Sequence, residues 1–161
     1  MIKVLFVCLG NICRSPLAEA IFNQKVKAFG LSQNFKCDSC GTSDYHIGEL
    51  PDERTIACAK RHQIPIHHRA RQLNRVDARE FDYILAMDHS NKKNIEIDLQ
   101  KYRLSHDHIY LIREFQPNSD NLDVPDPYYG GEEGFENVYK ILDESIDHFL
   151  EYLKVEHQEY V

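Results

Sequence analysis

Hydrophobic positions along this chain follow two rhythms. Short apolar runs, Ile2 to Val7 and "FDYILAMD" from Phe81 to Asp88, are nearly unbroken, and "HIYLI" from His108 to Ile112 is a shorter third. Runs of this kind predict strands buried on both faces. A further strand is predicted around Phe35 to Cys40, before a Gly/Thr/Ser/Asp loop that extends through Gly48. Between these segments the apolar residues recur at helical spacing. After Ser15, Leu17, Ala20, Ile21 and Ala28 share one stripe, with Phe22, Val26 and Phe29 beside it, and Gly30 supplies a glycine stop. A helix is predicted from Pro51 to Arg61, with Pro51 near its start, and a polar one near Ser90 to Leu99. The strongest stripe is the last: Phe135, Val138, Tyr139, Leu142, Ile146, Phe149, Leu150 and Leu153. Gln116 to Gly131, with Pro117, Asn118, Pro125, Pro127, Gly130 and Gly131, reads as a loop.

Strands alternating with helices predict an α/β protein with a parallel sheet wrapped by helices. Ligands of such sheets sit beyond the carboxyl ends of the strands, and Cys8 closes the first strand. No internal repeat or low-complexity segment interrupts the pattern.

Composition narrows the picture. The 161 residues suit one domain spanning 1–161, and 42% hydrophobic with 28% charged residues predicts a folded chain. No apolar run approaches the roughly 20 residues of a membrane helix. The N-terminal run is too short for a signal peptide, has only Lys3 ahead of its centre and lacks a small-residue cleavage site, so a cytoplasmic protein is expected. A net charge of −7 argues against nucleic acid as a partner, and phosphate recognition here must be local. Asp120, Asp123, Glu132, Glu133 and Glu136 read as a solvated acidic face, with Asp126 set apart. Five cysteines without an export signal are not a disulfide framework. Cys37 and Cys40, a C-x-x-C pair, read as packing residues in or near a strand. No ligand cluster has zinc spacing, so neither metal nor cofactor is expected.

The richest chemistry lies in "VCLGNICRSP". A loop from Leu9 through Gly10, Asn11, Ile12 and Cys13 to Arg14 can turn several backbone N–H groups towards one centre, with Gly10 free of Cβ clashes. A following helix N-terminus adds positive potential. The planar fork of Arg14 holds two phosphoryl oxygens at once. Cations and helix N-termini favour a thiolate over a thiol, so Cys8 is the candidate nucleophile. Ser15 has two readings, a helix cap and a hydroxyl donor to the Cys8 sulfur. Ester cleavage also needs a proton for the leaving oxygen. The candidate is Asp126 in "DVPDPYYGG", stiffened by Pro125 and Pro127, whereas Asp120 and Asp123 lack that bracketing. Tyr128 and Tyr129 read either as walls for a flat substrate or as packing at the start of the last helix.

Taken with "GTSDYHIG" and "DPYYG", these residues resemble the low-molecular-weight protein tyrosine phosphatase family over nearly the whole chain. The resemblance implies three layers around a four-stranded parallel sheet of order 2-1-3-4. It implies a cysteine-dependent phosphoric monoester hydrolase of acid-phosphatase type, acting on phosphotyrosine proteins and small aryl phosphates and inhibited by phosphate-like oxyanions. Cys8 would form a phosphocysteine, Arg14 would bind the phosphoryl group and Asp126 would serve as acid and then base, with Ser15 assisting the thiolate. Leu9 to Cys13 would line the phosphate cradle. Asn11 would hold a left-handed backbone, tied to Ser39 and His68, and Tyr45 and Tyr128 would flank the substrate ring. His46 and its neighbours up to Pro51 would shape selectivity. Ile12 favours tyrosine over the phosphoarginine enzymes, which usually carry Thr there. A protective Cys8–Cys13 disulfide and weak self-association through the tyrosine-bearing mouth are further expectations. An arsenate reductase would need relay cysteines, and none follows Cys58. A phosphate-binding module without turnover would not need Cys8 and Asp126 together.

Overall fold

The computed structural model describes residues 1–161. Four strands form one parallel sheet: β1 (Ile2–Cys8), β2 (Phe35–Gly41), β3 (Tyr83–Ala86) and β4 (Ile109–Leu111), in the order β2-β1-β3-β4. The fold expected from the resemblance is therefore the fold observed. β1 is central. It pairs with β2 from Ile2↔Phe35 to Cys8↔Gly41 and with β3 from Val4↔Tyr83 to Val7↔Ala86.

Alternation along β1 divides the core. Val4 and Phe6 pack with Leu17, Ile21 and Phe22 of α1 (Arg14–Ala28) and with Leu142, Ile146 and Phe149 of α5 (Glu132–Glu156). Leu5 and Val7 face the other way. They meet Ala78 of α3 (Arg75–Glu80) and Ile95 and Leu99 of α4 (His89–Lys101). α2 (Glu53–Arg61) packs beside α5. Each fully buried Phe, Leu or Ile contributes about 1.5–3 kcal/mol, so the sheet is clamped from both sides.

The helix signals behave as chemistry dictates, with instructive shifts. Gly30 has φ +71°, the Gly30 N–H donates to Lys27 O and the Leu31 N–H to Val26 O, which is a Schellman stop. α2 begins at Glu53 rather than at Pro51, because the Asp52 side chain accepts from the Arg54 N–H and caps the helix. β3 is shorter than "FDYILAMD". Phe81 terminates α3, and Asp88 is the N-cap of α4, accepting from the Asn91 N–H at 2.7 Å. α3 itself was not expected from the apolar pattern. It is held by a reciprocal capping box between Asn74 and Asp77.

Candidate active site

β1 delivers Cys8 to the carboxyl edge of the sheet, and the chain turns through Leu9 to Cys13 before α1 starts at Arg14. The N-cap position is Cys13, with no side-chain capping bond, so Ser15 is not the cap that one sequence reading allowed. The Ser15 hydroxyl instead lies 3.0 Å from Cys8 Sγ, and the Asn11 N–H donates to the same sulfur at 3.3 Å.

Asn11 organises the loop. Its φ is +57°, a left-handed conformation that Asn tolerates better than most residues. The Arg71 N–H can only donate, so the Asn11 atom it meets at 3.0 Å is the carbonyl oxygen Oδ1. That oxygen also accepts from His68 Nε2 at 2.6 Å, which places a hydrogen on Nε2. The two Nδ2 hydrogens of Asn11 go to Ser15 Oγ at 2.8 Å and Ser39 Oγ at 3.0 Å. All four hydrogen-bonding positions of the amide are therefore used. Ser15 Oγ accepts from Asn11, and its own hydrogen has two acceptors in reach, Cys8 Sγ at 3.0 Å and Cys40 O at 3.4 Å, of which the sulfur is the nearer. His68 is tucked behind the loop rather than exposed, with Nδ1 3.3 Å from Glu19 Oε1. Burial pushes the Glu19 carboxyl up and the His68 imidazole down, so both are driven towards their neutral forms. Gly41 closes the rear: a Cβ there would stand 2.6 Å from Leu9 O.

Arg14 is buried, its side chain only 4% exposed. Nη1 donates to Asp88 Oδ2 at 2.6 Å and to Val124 O at 2.9 Å, while Nη2 lies 3.8 Å from Asp126 Oδ2. One arm of the fork is thus anchored and the other turned towards the acid. Burial, which opposes the cation, is outweighed by the anions around it, and Arg14 stays firmly protonated. Asp88 was not singled out from the sequence. It lies 74 residues from Arg14, and no spacing rule links them.

Asp126 sits at the apex of the expected loop. Oδ1 accepts from the Tyr128 N–H at 3.1 Å, and the side chain is 45% exposed. Towards the sheet, Asp123 O accepts from Arg113 Nη1 and Val124 N donates to Met87 O. Beyond the apex, Arg54 donates to Tyr128 O and Gly130 O. Two acidic residues read as solvated are engaged. Asp123 accepts from the His89 backbone N–H at 2.9 Å, and Glu136 binds Arg61 Nε and His62 Nε2, each at 2.8 Å.

Nucleophile, arginine and acid share one cavity of about 340 Å3 with Leu9, Gly10, Ile12, Cys13, Tyr45, His46, Tyr128 and Tyr129. Tyr45 and Tyr129 are largely exposed and Tyr128 less so. A Cβ on Gly10 would meet the His46 ring at 3.0 Å, so His46 lies directly over the loop, its Nδ1 paired with Glu49. All five thiols are free. Burial pushes the Cys13 thiol up to about 12 and raises Cys37 and Cys40 well above their ordinary values. Two groups bring ligand atoms within 4.8 Å of one another, Cys58–His62–Glu136 and Glu19–Asp38–His68. In each, carboxylates are engaged by neighbouring side chains: Arg61 and His62 on Glu136, and Arg71 on Asp38. Direct pairing accounts for the Glu136 grouping and for Asp38, whereas Glu19 Oε1 is buried without a hydrogen-bond partner. No helix is long and apolar enough to cross a membrane.

A family model described as low molecular weight phosphotyrosine protein phosphatase matches residues 3–159. The chain is 46% identical over 138 residues to the low molecular weight phosphotyrosine protein phosphatase of Homo sapiens, covering 86% of this chain and 87% of that one. The crystal structure of YfkJ from Bacillus subtilis is similar with a TM-score of 0.92 and 40% identity over 98% of each chain. That of a Drosophila arginine phosphatase gives 0.86 and 34% identity, covering 95% of this chain and 98% of that one.

Proposed function

The chain belongs to the low molecular weight phosphotyrosine protein phosphatase family, and from that premise we propose that residues 1–161 act as one domain that hydrolyses phosphotyrosine and small aryl phosphates through Cys8, Arg14 and Asp126. One observation carries the assignment: the sulfur, the guanidinium and the carboxyl converge on a single cavity, with Arg14 Nη2 3.8 Å from Asp126 Oδ2.

In the first step the Cys8 thiolate attacks phosphorus in line. The aryl oxygen departs with the proton of Asp126, leaving a phosphocysteine. Arg14 holds two equatorial oxygens, and the loop amides with the N-terminus of α1 meet the remaining charge. In the second step the Asp126 carboxylate takes a proton from water, the water oxygen bonds to phosphorus, and the S–P bond breaks to release phosphate. The Ser15 O–H, aimed at the sulfur by Asn11, stabilises the thiolate as it leaves. Asp88 keeps Arg14 from rotating away. Ser39 and His68 support the loop through Asn11.

Tyr45 and Tyr128 flank the substrate ring, and the depth between the rims and Cys8 favours the long phosphotyrosine over phosphoserine. Ile12, apolar at the cavity wall, favours the tyrosine reading over phosphoarginine. The protective disulfide is part of the proposal: an oxidant converts Cys8 to a sulfenic acid, Cys13 attacks its sulfur, and water leaves. Five unpaired thiols fit a reducing, cytoplasmic setting. Exposure of Tyr45 and Tyr129 supports weak self-association through the mouth. The test is hydrolysis of phosphotyrosine, phosphoserine and phosphoarginine peptides. Preference for phosphotyrosine is expected, and faster release from phosphoarginine would replace the substrate assignment.

A further inference from the structure

We infer that Arg54 is a positioning residue that sets both Asp126 and Tyr128 over the nucleophile, an inference that rests on the acid role proposed for Asp126. Arg54 lies in the first turn of α2, outside the sequence motifs. Its Nε and Nη2 donate to the two oxygens of Asp52 at 3.0 and 2.9 Å. That pair holds the Asp52 carboxyl below its ordinary range. The Asp52 backbone N–H in turn donates to Ile12 O at 2.8 Å, which roots the pair in the nucleophile loop.

The other side of the guanidinium reaches the acid loop. Nη2 donates to Tyr128 O at 2.9 Å and Nη1 to Gly130 O at 3.1 Å. The Arg54 Cζ lies 4.6 Å from the Phe135 ring centre and 5.6 Å from that of Tyr128, within cation–π range of both. Four of its five N–H hydrogens are thereby committed, so it is a brace rather than a receptor for substrate anions. The geometry explains what it braces. Tyr128, fixed by Arg54 through its carbonyl, donates through its N–H to Asp126 Oδ1. The sheet side of the loop is already tied by Arg14 and Arg113. Arg54 supplies the opposite tie, and the half-exposed Asp126 hangs between them. A lysine has the charge but not the fork that spans Asp52 and two carbonyls.

The experiment is a double-mutant cycle of Arg54→Ala with Asp126→Ala, read on phenyl phosphate, a poor leaving group, and on p-nitrophenyl phosphate, a good one. Arg54→Ala is expected to lower kcat on phenyl phosphate by roughly 10- to 100-fold, as sub-ångström to ångström misplacement of a catalytic group does. A smaller loss is expected on p-nitrophenyl phosphate. KM should rise for both, because the Tyr128 wall moves, while competitive inhibition by inorganic phosphate stays unchanged. Arg54→Lys should not rescue. In the Asp126→Ala background, Arg54→Ala should cost almost no further kcat. Losses that multiply in the double variant, or a Lys variant with full activity, would overturn the inference while leaving the acid assignment intact. A wild-type rate for Asp126→Ala on phenyl phosphate would overturn that assignment and this inference with it. Arg54→Gln, which retains most of the stem and a donor, carries the same tests should the alanine variant fail to fold.

Discussion

The two loops that meet at the cavity are built on opposite principles. The nucleophile loop is short and, from Asn11 onward, buried and saturated: Asn11 and Ser15 are inaccessible, Arg14 nearly so, and the Asn11 amide has no free valence. The acid loop is long, exposed and rich in Pro and Gly. It is held at its flanks, where three arginines, Arg14, Arg113 and Arg54, grip its carbonyls. The difference follows the chemistry. Charge on phosphorus develops at one fixed point and is best met by dipoles that need no reorganisation. The proton donor must meet leaving groups of different shape, so it is anchored on both sides and open at the apex.

The sharpest way to break this comparison is at the sulfur. Cys8→Ser is expected to lower kcat by more than about 10⁴ while phosphate affinity, measured by calorimetry, persists, because the cradle of amides and Arg14 remains. Substantial turnover in that variant would sink the nucleophile assignment. On the acid side, Asp126→Ala should cost about 10² to 10⁴ in kcat on phenyl phosphate and leave the thermal midpoint unchanged, since the side chain is half-exposed. A marked fall in the midpoint would show that the apex is structural after all. Asn11→Ala reverses that pattern. It strands the partners of four hydrogen bonds and puts a Cβ residue without a polar side chain at φ +57°. It should lower stability by about 3 kcal/mol in urea titration and lower kcat as a consequence. The smallest effect lies beneath the acid loop, where Glu136 joins α2 to α5. Its hydrogen bonds from His62 and Arg61 pull its carboxyl down from 4.5 to about 2. A depressed carboxylate stabilises the fold above its unfolded value and loses that contribution as pH falls through the folded one. Unfolding free energy should therefore decline between pH 4.5 and about 2, by no more than about 1 kcal/mol at so open a site. Glu136→Gln should flatten that part of the curve.

The same contrast governs what the sequence disclosed. Cys8, Arg14 and Ser15 were legible because the nucleophile loop is contiguous and its residue types have few other uses together. Asp126 was legible through its prolines, and the strands and long helices through hydrophobic rhythm. Ser39 and His68 entered only through family resemblance, since their link to Asn11 spans 28 and 57 residues. Asp88, Arg54 and Arg71 gave no signal, because the contacts that tie them to the site, Asp88 to Arg14, Arg54 to Tyr128 O and Arg71 N to Asn11, join segments 60 or more residues apart and leave no periodicity. The double role offered to Ser15 resolved to one, the hydroxyl facing the sulfur, once the helix began at Arg14 rather than after Ser15. Asp123 and Glu136 looked like solvated charge because their partners are supplied by other helices. α3 escaped because six residues are too few to show a stripe and only its capping box announces it.

The absence of a side chain at Gly41, where a methyl group would press on Leu9 O, bears on how such an enzyme changes its targets over generations. The rear of the cradle has no room for an added side chain, so substitutions that leave the cradle intact belong at the lip, around Tyr45, His46 and Tyr129. A lineage can then retune what it accepts while the reaction it performs stays the same.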